Sequence, residues 1–160
     1  MGLYEVISNT PLTHNVFELK LRGDTSRFTR PGQFAQFRLD GFFLRRPISL
    51  HDMCGDMVSF IFRASGAGTD VLSLVRSGTL DVLTGLGNGY DTVKSTDSPA
   101  VIGGGIGIPP LYYLVKTLVA EGKKPRVILG FNTKDDVFAV ERFKALCDDV
   151  HVVTADGSVG

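Results

Sequence analysis

Residues 101–111 read VIGGGIGIPPL, a sequence typical of a strand, a turn and a helix start in an α/β domain. Two β-branched residues, Val101 and Ile102, end the predicted strand, and Pro109 with Pro110 marks the predicted helix start. A strand, tight turn and helix N-terminus together offer backbone N–H groups and a positive dipole end to a phosphate. The turn is built from residues that permit close backbone approach, namely Gly103, Gly104, Gly105 and Gly107.

These glycines match a phosphate-binding pattern only in part. Gly105 and Gly107 occupy the first two positions of G-x-G-x-x-G, but Pro110 replaces the third glycine. An ordinary turn of an α/β domain explains such a cluster equally well. The sequence on either side therefore has to distinguish a phosphate site from a plain turn.

Downstream of the glycines, helix and strand patterns alternate. Apolar residues fall at helical spacing over residues 111–118, and Gly122 supplies a natural helix stop. Residues 126–131 and 150–154 have the apolar character of buried strands, and residues 139–146 form a second amphipathic helix pattern. This order predicts a parallel doubly wound α/β sheet, which binds ligands at the carboxyl ends of its strands. The segments expected to gather there are residues 103–107, 130–133 and 154–157.

The first half of the chain has a different rhythm. Apolar and polar residues alternate with period two over residues 17–22, 35–39 and 58–63, and turn residues separate the runs. This pattern predicts an antiparallel β-barrel or sandwich. Residues 70–75 instead have the pattern of a short helix, with Thr69 as its expected N-cap. A lone helix between barrel strands closes one end of the barrel, and its N-terminus is a second potential anion site.

Arg45 and Arg46 lie next to Pro47 within an apolar strand pattern. Burying two guanidinium groups is costly unless an anion accepts them, so the pair is a candidate anion site. The alternative is that both side chains point to solvent at a strand end, where Pro47 marks an edge position.

The composition is that of an ordinary globular protein. Of 160 residues, 43% are hydrophobic and 21% charged, and 17 basic residues balance 17 acidic ones. This balance argues against a nucleic-acid partner or an acidic membrane surface, and no apolar stretch reaches bilayer length. No signal peptide opens the chain, and Cys54 and Cys147 are not in metal-ligand spacing. Reduced thiols and a cytoplasmic location are therefore expected.

Several titratable residues are expected to have structural or surface roles. His14, His51 and His151 lie far apart, with no cysteine or carboxylate at metal-ligand spacing. Glu141 and Arg142, on the second predicted helix, are expected on a solvated face.

A β-barrel followed by a nucleotide-binding α/β domain, with these motifs, resembles the ferredoxin reductase superfamily. Within it the chain is most similar to the electron-transfer subunits of class 1B dihydroorotate dehydrogenases. The resemblance implies a flavin-binding β-barrel domain over residues 1–96 and a parallel doubly wound nucleotide-binding domain, incomplete at its C-terminus, over residues 97–160. It is carried by motifs in the same order and spacing: RRPIS at 45–49, IFR at 61–63 with GAGT at 66–69, GLGNG at 85–89, and GGGIGIPP at 103–110.

The resemblance also implies two cofactors, FAD and NAD. Arg46 would pair with the FAD pyrophosphate, Ile48 would line the ring system, and Ser49 would approach the reactive flavin nitrogen. The other residues implied to contact FAD are Pro47, Ile61, Phe62, Arg63, Gly68 and Thr69. The residues implied to contact NAD are Gly103, Gly104, Gly105, Gly107, Ile108 and Pro109. No catalytic side chain is expected, because the cofactors carry out the hydride chemistry.

The implied activity is an electron relay in pyrimidine biosynthesis. A partner subunit containing FMN would oxidise dihydroorotate, a [2Fe–2S] cluster would pass electrons to FAD, and NAD⁺ would leave as NADH from a heterotetramer. The family holds its cluster in a cysteine-rich C-terminal segment that is absent here. Cys54 and Cys147 cannot replace a set of about four thiolates, so the chain is expected to be truncated.

Two other functions remain open. Small flavoprotein subunits of related transhydrogenases, sulfide dehydrogenases or NAD(P)H-ferredoxin oxidoreductases share every motif quoted above. A nucleotide-binding assembly module without turnover is the non-enzymatic alternative. An arginine near the end of the second strand of the α/β domain would favour the extra phosphate of NADP. The only basic residue just after that strand is Lys134, so NAD is favoured.

Overall fold

The computed structural model describes residues 2–160, which form a closed β-barrel followed by a parallel sheet with helices. Around the barrel the strands follow the order β1-β2-β5-β4-β3-β6, and neighbouring strands are antiparallel. The predicted antiparallel barrel is thus confirmed, and the sandwich alternative was wrong. The strands are β1 (Gly2–Pro11), β2 (Val16–Arg22), β3 (Phe34–Phe37), β4 (Arg46–Cys54), β5 (Met57–Arg63) and β6 (Thr79–Leu86).

The period-two alternation explains the barrel interior. Leu19 and Leu21 of β2 point inward and are fully buried, while Lys20 between them reaches the outside. Phe37 of β3 and Phe60 of β5 meet edge to face in the core, with 5.0 Å between ring centroids. Large side chains from different strands therefore fill the barrel, and a ligand has to bind outside it.

A short helix, α1 (Ala67–Leu74), lies between β5 and β6 and packs Leu72 into the barrel core. Its carboxyl end is tied to β1, because the side-chain amide of Asn9 donates to the carbonyls of Leu72 and Val75 at 2.8 and 3.0 Å. The predicted N-cap was wrong. Gly66 occupies the cap position, and the hydroxyl of Thr69 stabilises the preceding turn by donating to the Gly66 carbonyl.

The second lobe confirms the predicted strand-helix-strand-helix-strand order. Its elements are β7 (Ala100–Gly104), α2 (Pro109–Ala120), β8 (Arg126–Phe131), α3 (Val140–Lys144) and β9 (Val150–Thr154). The strands are parallel in the order β7-β8-β9. Helix α3 is shorter than the predicted residues 139–146, and Ala139 just before it adopts a left-handed conformation with φ of 59°.

The two lobes share a packed boundary. Val16 of β2 and Ile61 of β5 point away from the barrel interior and are buried in the core of the second lobe. The outer face of these two strands is therefore covered by the α/β lobe. In residues 2–160 no helix combines the length and the apolar character that crossing a bilayer requires.

Replacing Leu72 by Ala is expected to lower the free energy of unfolding by about 2–5 kcal/mol, because the change leaves a cavity under α1. Leu74→Ala is the matched control in the same helix. Leu72 is 0% exposed and Leu74 is 72% exposed, so the control should change stability by less than about 0.5 kcal/mol. Urea denaturation followed by circular dichroism measures both values, and equal effects would contradict the packing of α1 into the barrel.

Candidate functional site

Arg46, the first residue of β4, lies against the start of α1. A Cβ built on Gly68 would stand 2.0 Å from Arg46 Nε, so a larger residue at position 68 would force this side chain to move. The guanidinium also covers the ring of Phe42 at 4.7 Å, and its Nη1 donates to the carbonyl of Leu44 at 2.6 Å. A cation is thus held beside the N-terminus of an eight-residue helix, where both favour an anion.

Arg45 has a different environment from its neighbour. Its Nη2 donates to Asp81 Oδ2 at 2.8 Å, and its Nη1 lies 3.2 Å from Asp81 Oδ1. These hydrogen bonds from Arg45 hold the pKa of Asp81 below its ordinary value. The interpretation that both arginines point to solvent was therefore wrong, and a carboxylate of the protein, rather than a ligand, accepts Arg45.

Strand β4 continues past Arg46 with side chains on alternating faces. Ile48 is 8% exposed and packs in the barrel core, whereas Pro47 is exposed and Ser49 is half-buried. On β5, Ile61 and Phe62 are also buried, each in a different lobe's core. Ile61 and Phe62 could offer a ligand little besides backbone, whereas Pro47 and Ser49, close to Arg46 on β4, have side chains that a ligand could reach.

Arg63 ends β5 at the boundary between the lobes. Its Nε is buried and finds no hydrogen-bond partner among residues 2–160. Its Nη2 would lie 3.8 Å from a Cβ built on Gly105, so the guanidinium faces the glycine turn. A buried, unsatisfied donor of this kind is uncommon in proteins and fits a ligand that supplies the missing acceptor.

The glycine turn follows the carboxyl end of strand β7. Gly105 has φ of +48°, residues 105–107 form one turn of 3-10 helix, and α2 begins at Pro109. A Cβ on Gly103 would stand 2.4 Å from Leu111 Cδ1, so this glycine lets the helix pack onto the strand. The predicted strand, turn and helix N-terminus are all present, with Ile108 buried behind them.

The carboxyl ends of the three parallel strands meet at a cleft of about 580 Å³. All three segments expected at this edge contribute to it, and Arg63 reaches it from the barrel. The residues around the cleft are Arg63, Gly104, Gly105, Ile106, Gly130, Phe131, Asn132, Val153, Thr154 and Ala155. Backbone and small side chains predominate on the sheet side, which leaves room for an extended ligand to lie along the strand ends.

A charged cluster at the lobe boundary was not predicted. Arg142 of α3 donates to both carboxylate oxygens of Glu18 on β2, at 2.6 and 2.7 Å. Its Nη1 also lies 3.2 Å from Nε2 of His51, which is fully buried. The expectation of a solvated face thus holds for Glu141 and was wrong for Arg142. The available signal was Val16, an apolar residue on the same outward face as Glu18.

Ionisation in this cluster follows from burial and from Arg142. Burial opposes the ionisation of Glu18, but the hydrogen bonds and charge of Arg142 outweigh it and hold its pKa below 4.5. Burial lowers the pKa of His51 below 6.5, and the positive charge of Arg142 lowers it further. The hydrogen bond to the Pro109 carbonyl acts in the opposite direction. The expected structural role of His51 is consistent with this neutral, enclosed ring.

Comparison with known proteins supports the resemblance that the motifs indicate. No family model matches the chain. It is 41% identical over 99% of its length to the dihydroorotate dehydrogenase B (NAD(+)) electron transfer subunit of Shouchella clausii, and spans 64% of that protein. It is 42% identical over 97% of its length to the subunit of the same name from Lysinibacillus sphaericus, and spans 63% of it. The resemblance to these subunits is thereby confirmed, over somewhat less than two thirds of their length.

Solved structures show a matching fold. An NADH-dependent reduced ferredoxin-NADP oxidoreductase, 30% identical, superposes with a TM-score of 0.86 over 100% of this chain and 59% of its own. The barrel and parallel sheet therefore match the fold of this oxidoreductase.

Stability is expected to fall in two stages as the pH is lowered. Below about pH 6.5, His51 takes up a proton in the unfolded chain but stays neutral in the folded protein. The free energy of unfolding therefore falls as the pH is lowered, by at most about 1.4 kcal/mol per pH unit. Glu18 has a depressed pKa and contributes stability above about 4.5 that is lost further below.

Urea unfolding between pH 8 and about pH 3 covers the first stage and the onset of the second. The variant His51→Phe should lose the first stage, and His14→Phe, at an exposed histidine, should keep it. A first stage that is unchanged in His51→Phe would assign it to another group.

Proposed function

We propose that the chain binds FAD against the barrel and NAD at the glycine turn, and passes electrons between them. The observation that carries this proposal is Arg63 at the lobe boundary, whose Nε is buried without a hydrogen-bond partner among residues 2–160 and whose Nη2 faces Gly105. A cofactor lying there would satisfy the donor. Flavin supplies the hydride chemistry when it is bound, so the chain has to bind, orient and shield it.

The flavin side is proposed to follow strand β4. Arg46 and the N-terminus of α1 would hold the pyrophosphate, because a guanidinium and helix N–H groups are matched to phosphate oxygens. Pro47 and Ser49 would face the ring system. The buried residues Ile61, Phe62 and Ile48 would contribute backbone and packing, and Gly68 would keep the space that Arg46 occupies.

The nicotinamide side is proposed to follow the turn and the N-terminus of α2. Gly103, Gly104, Gly105 and Gly107 would let the diphosphate approach the backbone, with Ile108 and Pro109 starting the helix behind it. NAD is proposed rather than NADP, because the cleft presents Asn132 just after β8 and no guanidinium from that segment.

The activity of the whole protein is proposed from the curated relatives. Their name suggests a dihydroorotate-oxidising partner, and we propose an FMN-containing subunit, a heterotetramer and a cytoplasmic location. We also propose a domain boundary between residues 96 and 97. Among residues 2–160 no group of three or more histidine, cysteine, aspartate or glutamate residues could hold a metal, so the described chain offers no ligand set for a [2Fe–2S] cluster.

A second candidate function is a subunit of an NAD(P)H-ferredoxin oxidoreductase. It is favoured by the solved oxidoreductase that superposes with a TM-score of 0.86 at 30% identity. The two candidates differ in the electron donor. The complex of the full-length protein with its co-purifying partner should reduce NAD⁺ with dihydroorotate under the first candidate, and with reduced ferredoxin under the second.

Arg46→Ala is expected to weaken FAD binding by about 10- to 100-fold, because a charge-assisted hydrogen bond contributes about 1.5–3 kcal/mol. Arg38→Ala is the matched control, since that side chain is 66% exposed and lies 3.9 Å from Asp81. Flavin fluorescence titration of the full-length protein measures both dissociation constants. A wild-type protein that takes up no FAD would overturn the proposed function.

Gly105→Ala is expected to weaken NADH binding by about tenfold, because a Cβ at this left-handed residue strains the turn by about 1–2 kcal/mol. Gly122→Ala suffers comparable strain, with φ of +80°, but lies at the far end of α2. It should lower stability and leave NADH binding unchanged. Anaerobic bleaching of the bound flavin by NADH gives the dissociation constant, and equal effects of the two variants would contradict a role for the turn.

A further inference from the structure

His51 connects the proposed flavin strand to the helix that follows the glycine turn. It lies on β4 two residues after Ser49, and its Nδ1 is 2.9 Å from the carbonyl oxygen of Pro109, the first residue of α2. A carbonyl only accepts, so Nδ1 carries the hydrogen. The contact spans the two lobes where the turn leads into the helix.

The second ring nitrogen has an equally defined partner. His51 Nε2 lies 3.2 Å from Nη1 of Arg142, which can only donate, so Nε2 carries no hydrogen. The two contacts together select one neutral tautomer. Protonation of Nε2 would place two donors and two positive charges face to face, and would break the contact with Arg142.

Further contacts hold the face of the His51 ring and hold its partner Arg142. Tyr112 of α2 stacks on it with 4.8 Å between centroids, and Phe143 of α3 supports Tyr112 edge to face at 5.4 Å. Arg142 is held in turn by both carboxylate oxygens of Glu18. Elements β2, β4, α2 and α3 thus meet at one imidazole.

Other charged groups near the ring belong to the same boundary. Asp52, next along β4, pairs with Lys116 of α2 at 2.8 Å and forms a second link between these two elements. The charges of Glu18 and Asp52 favour the protonated imidazole, whereas burial and Arg142 oppose it. Burial and Arg142 together keep the ring neutral, and a neutral ring with its hydrogen on Nδ1 satisfies both Pro109 and Arg142.

We propose that His51 is a positioning residue that holds the glycine turn at its working distance from β4, through one hydrogen bond to Pro109 and one from Arg142. The proposal rests on the proposed function, since the distance matters only if cofactors bind on both sides of the boundary. Misplacing a reacting group by about 1 Å can cost about 100-fold in rate, so a small shift of α2 would be measurable.

Three variants of the full-length protein test this role. His51→Phe keeps an aromatic ring against Tyr112 and removes both hydrogen bonds. His51→Asn keeps a donor for the Pro109 carbonyl and is the conservative variant. His14→Asn, at an exposed histidine in the loop after β1, is the control.

The first readout needs no cofactor. Amide hydrogen exchange over residues 103–112 is expected to be about tenfold faster in His51→Phe, intermediate in His51→Asn and unchanged in His14→Asn. Exchange over residues 34–37, inside the barrel, should not change in any of them. Unchanged exchange over residues 103–112 in His51→Phe would overturn the proposal.

The second readout is the rate of flavin reduction at saturating NADH. It is expected to fall about tenfold or more in His51→Phe, with FAD content unchanged, and to recover in part in His51→Asn. A folded, FAD-loaded His51→Phe protein with the wild-type rate would overturn the positioning role and leave the proposed function intact. A wild-type protein without FAD would overturn the proposed function, and the exchange measurement would still decide whether His51 holds the turn.

If His51→Phe does not fold, the tautomer decides instead. Nitrogen-15 NMR of the wild-type imidazole should show a neutral ring with hydrogen on Nδ1 at pH 7. Hydrogen on Nε2, or a doubly protonated ring, would overturn the proposal.

Discussion

The carboxylate of Glu18 is buried between the two lobes, and its neutralisation constrains how they meet. A buried carboxylate is tolerated when a cation with good geometry and further hydrogen bonds accompany it. Arg142 provides both through its two-pronged contact from α3. Apolar contacts such as those of Val16 are compatible with many small shifts of one surface over another. A bidentate ion pair does not tolerate such shifts, because its two hydrogen bonds fix the geometry, so it selects one arrangement of the lobes.

This arrangement bears directly on the cleft. Glu18 stands opposite Ile61 in the register of β2 and β5, and Ile61 comes two residues before Arg63. Holding Glu18 against α3 therefore also holds the end of β5 near the glycine turn. The charge pair thus supports the cleft without lining it.

Local patterns were sufficient for most of the fold. The alternation over residues 17–22 and 58–63 predicted strands β2 and β5, and the glycine and proline residues of 101–111 predicted the turn and the start of α2. These features depend on neighbours in sequence, because side-chain periodicity and backbone freedom are local properties. Thr69 is an exception, since a turn hydrogen bond to Gly66 engages its hydroxyl instead of a cap.

Partners that are distant in sequence could not be predicted in this way. Arg142 meets Glu18 across 124 positions, and nothing near either residue indicates the other. Arg45 and Arg46 share almost the same local sequence, yet one pairs with Asp81 and the other lies against Gly68. The candidate site was thus located by its motifs, whereas the environment of each side chain depended on how the strands closed.

The different environments of Arg45 and Arg46 also adjust the charge available to a ligand. Because Asp81 pairs with Arg45, Arg46 is the one of these two neighbouring guanidinium groups that is left to meet an anion beside α1. Without Asp81, Arg45 would place a second uncompensated guanidinium beside Arg46 in the chain, and the two like charges would repel. Asp81 therefore contributes to the anion site indirectly, by keeping Arg45 out of the balance of charges. The pairing also holds the strand that carries Arg46 to β6, so one contact sets both the charge and the position of the residue that follows it.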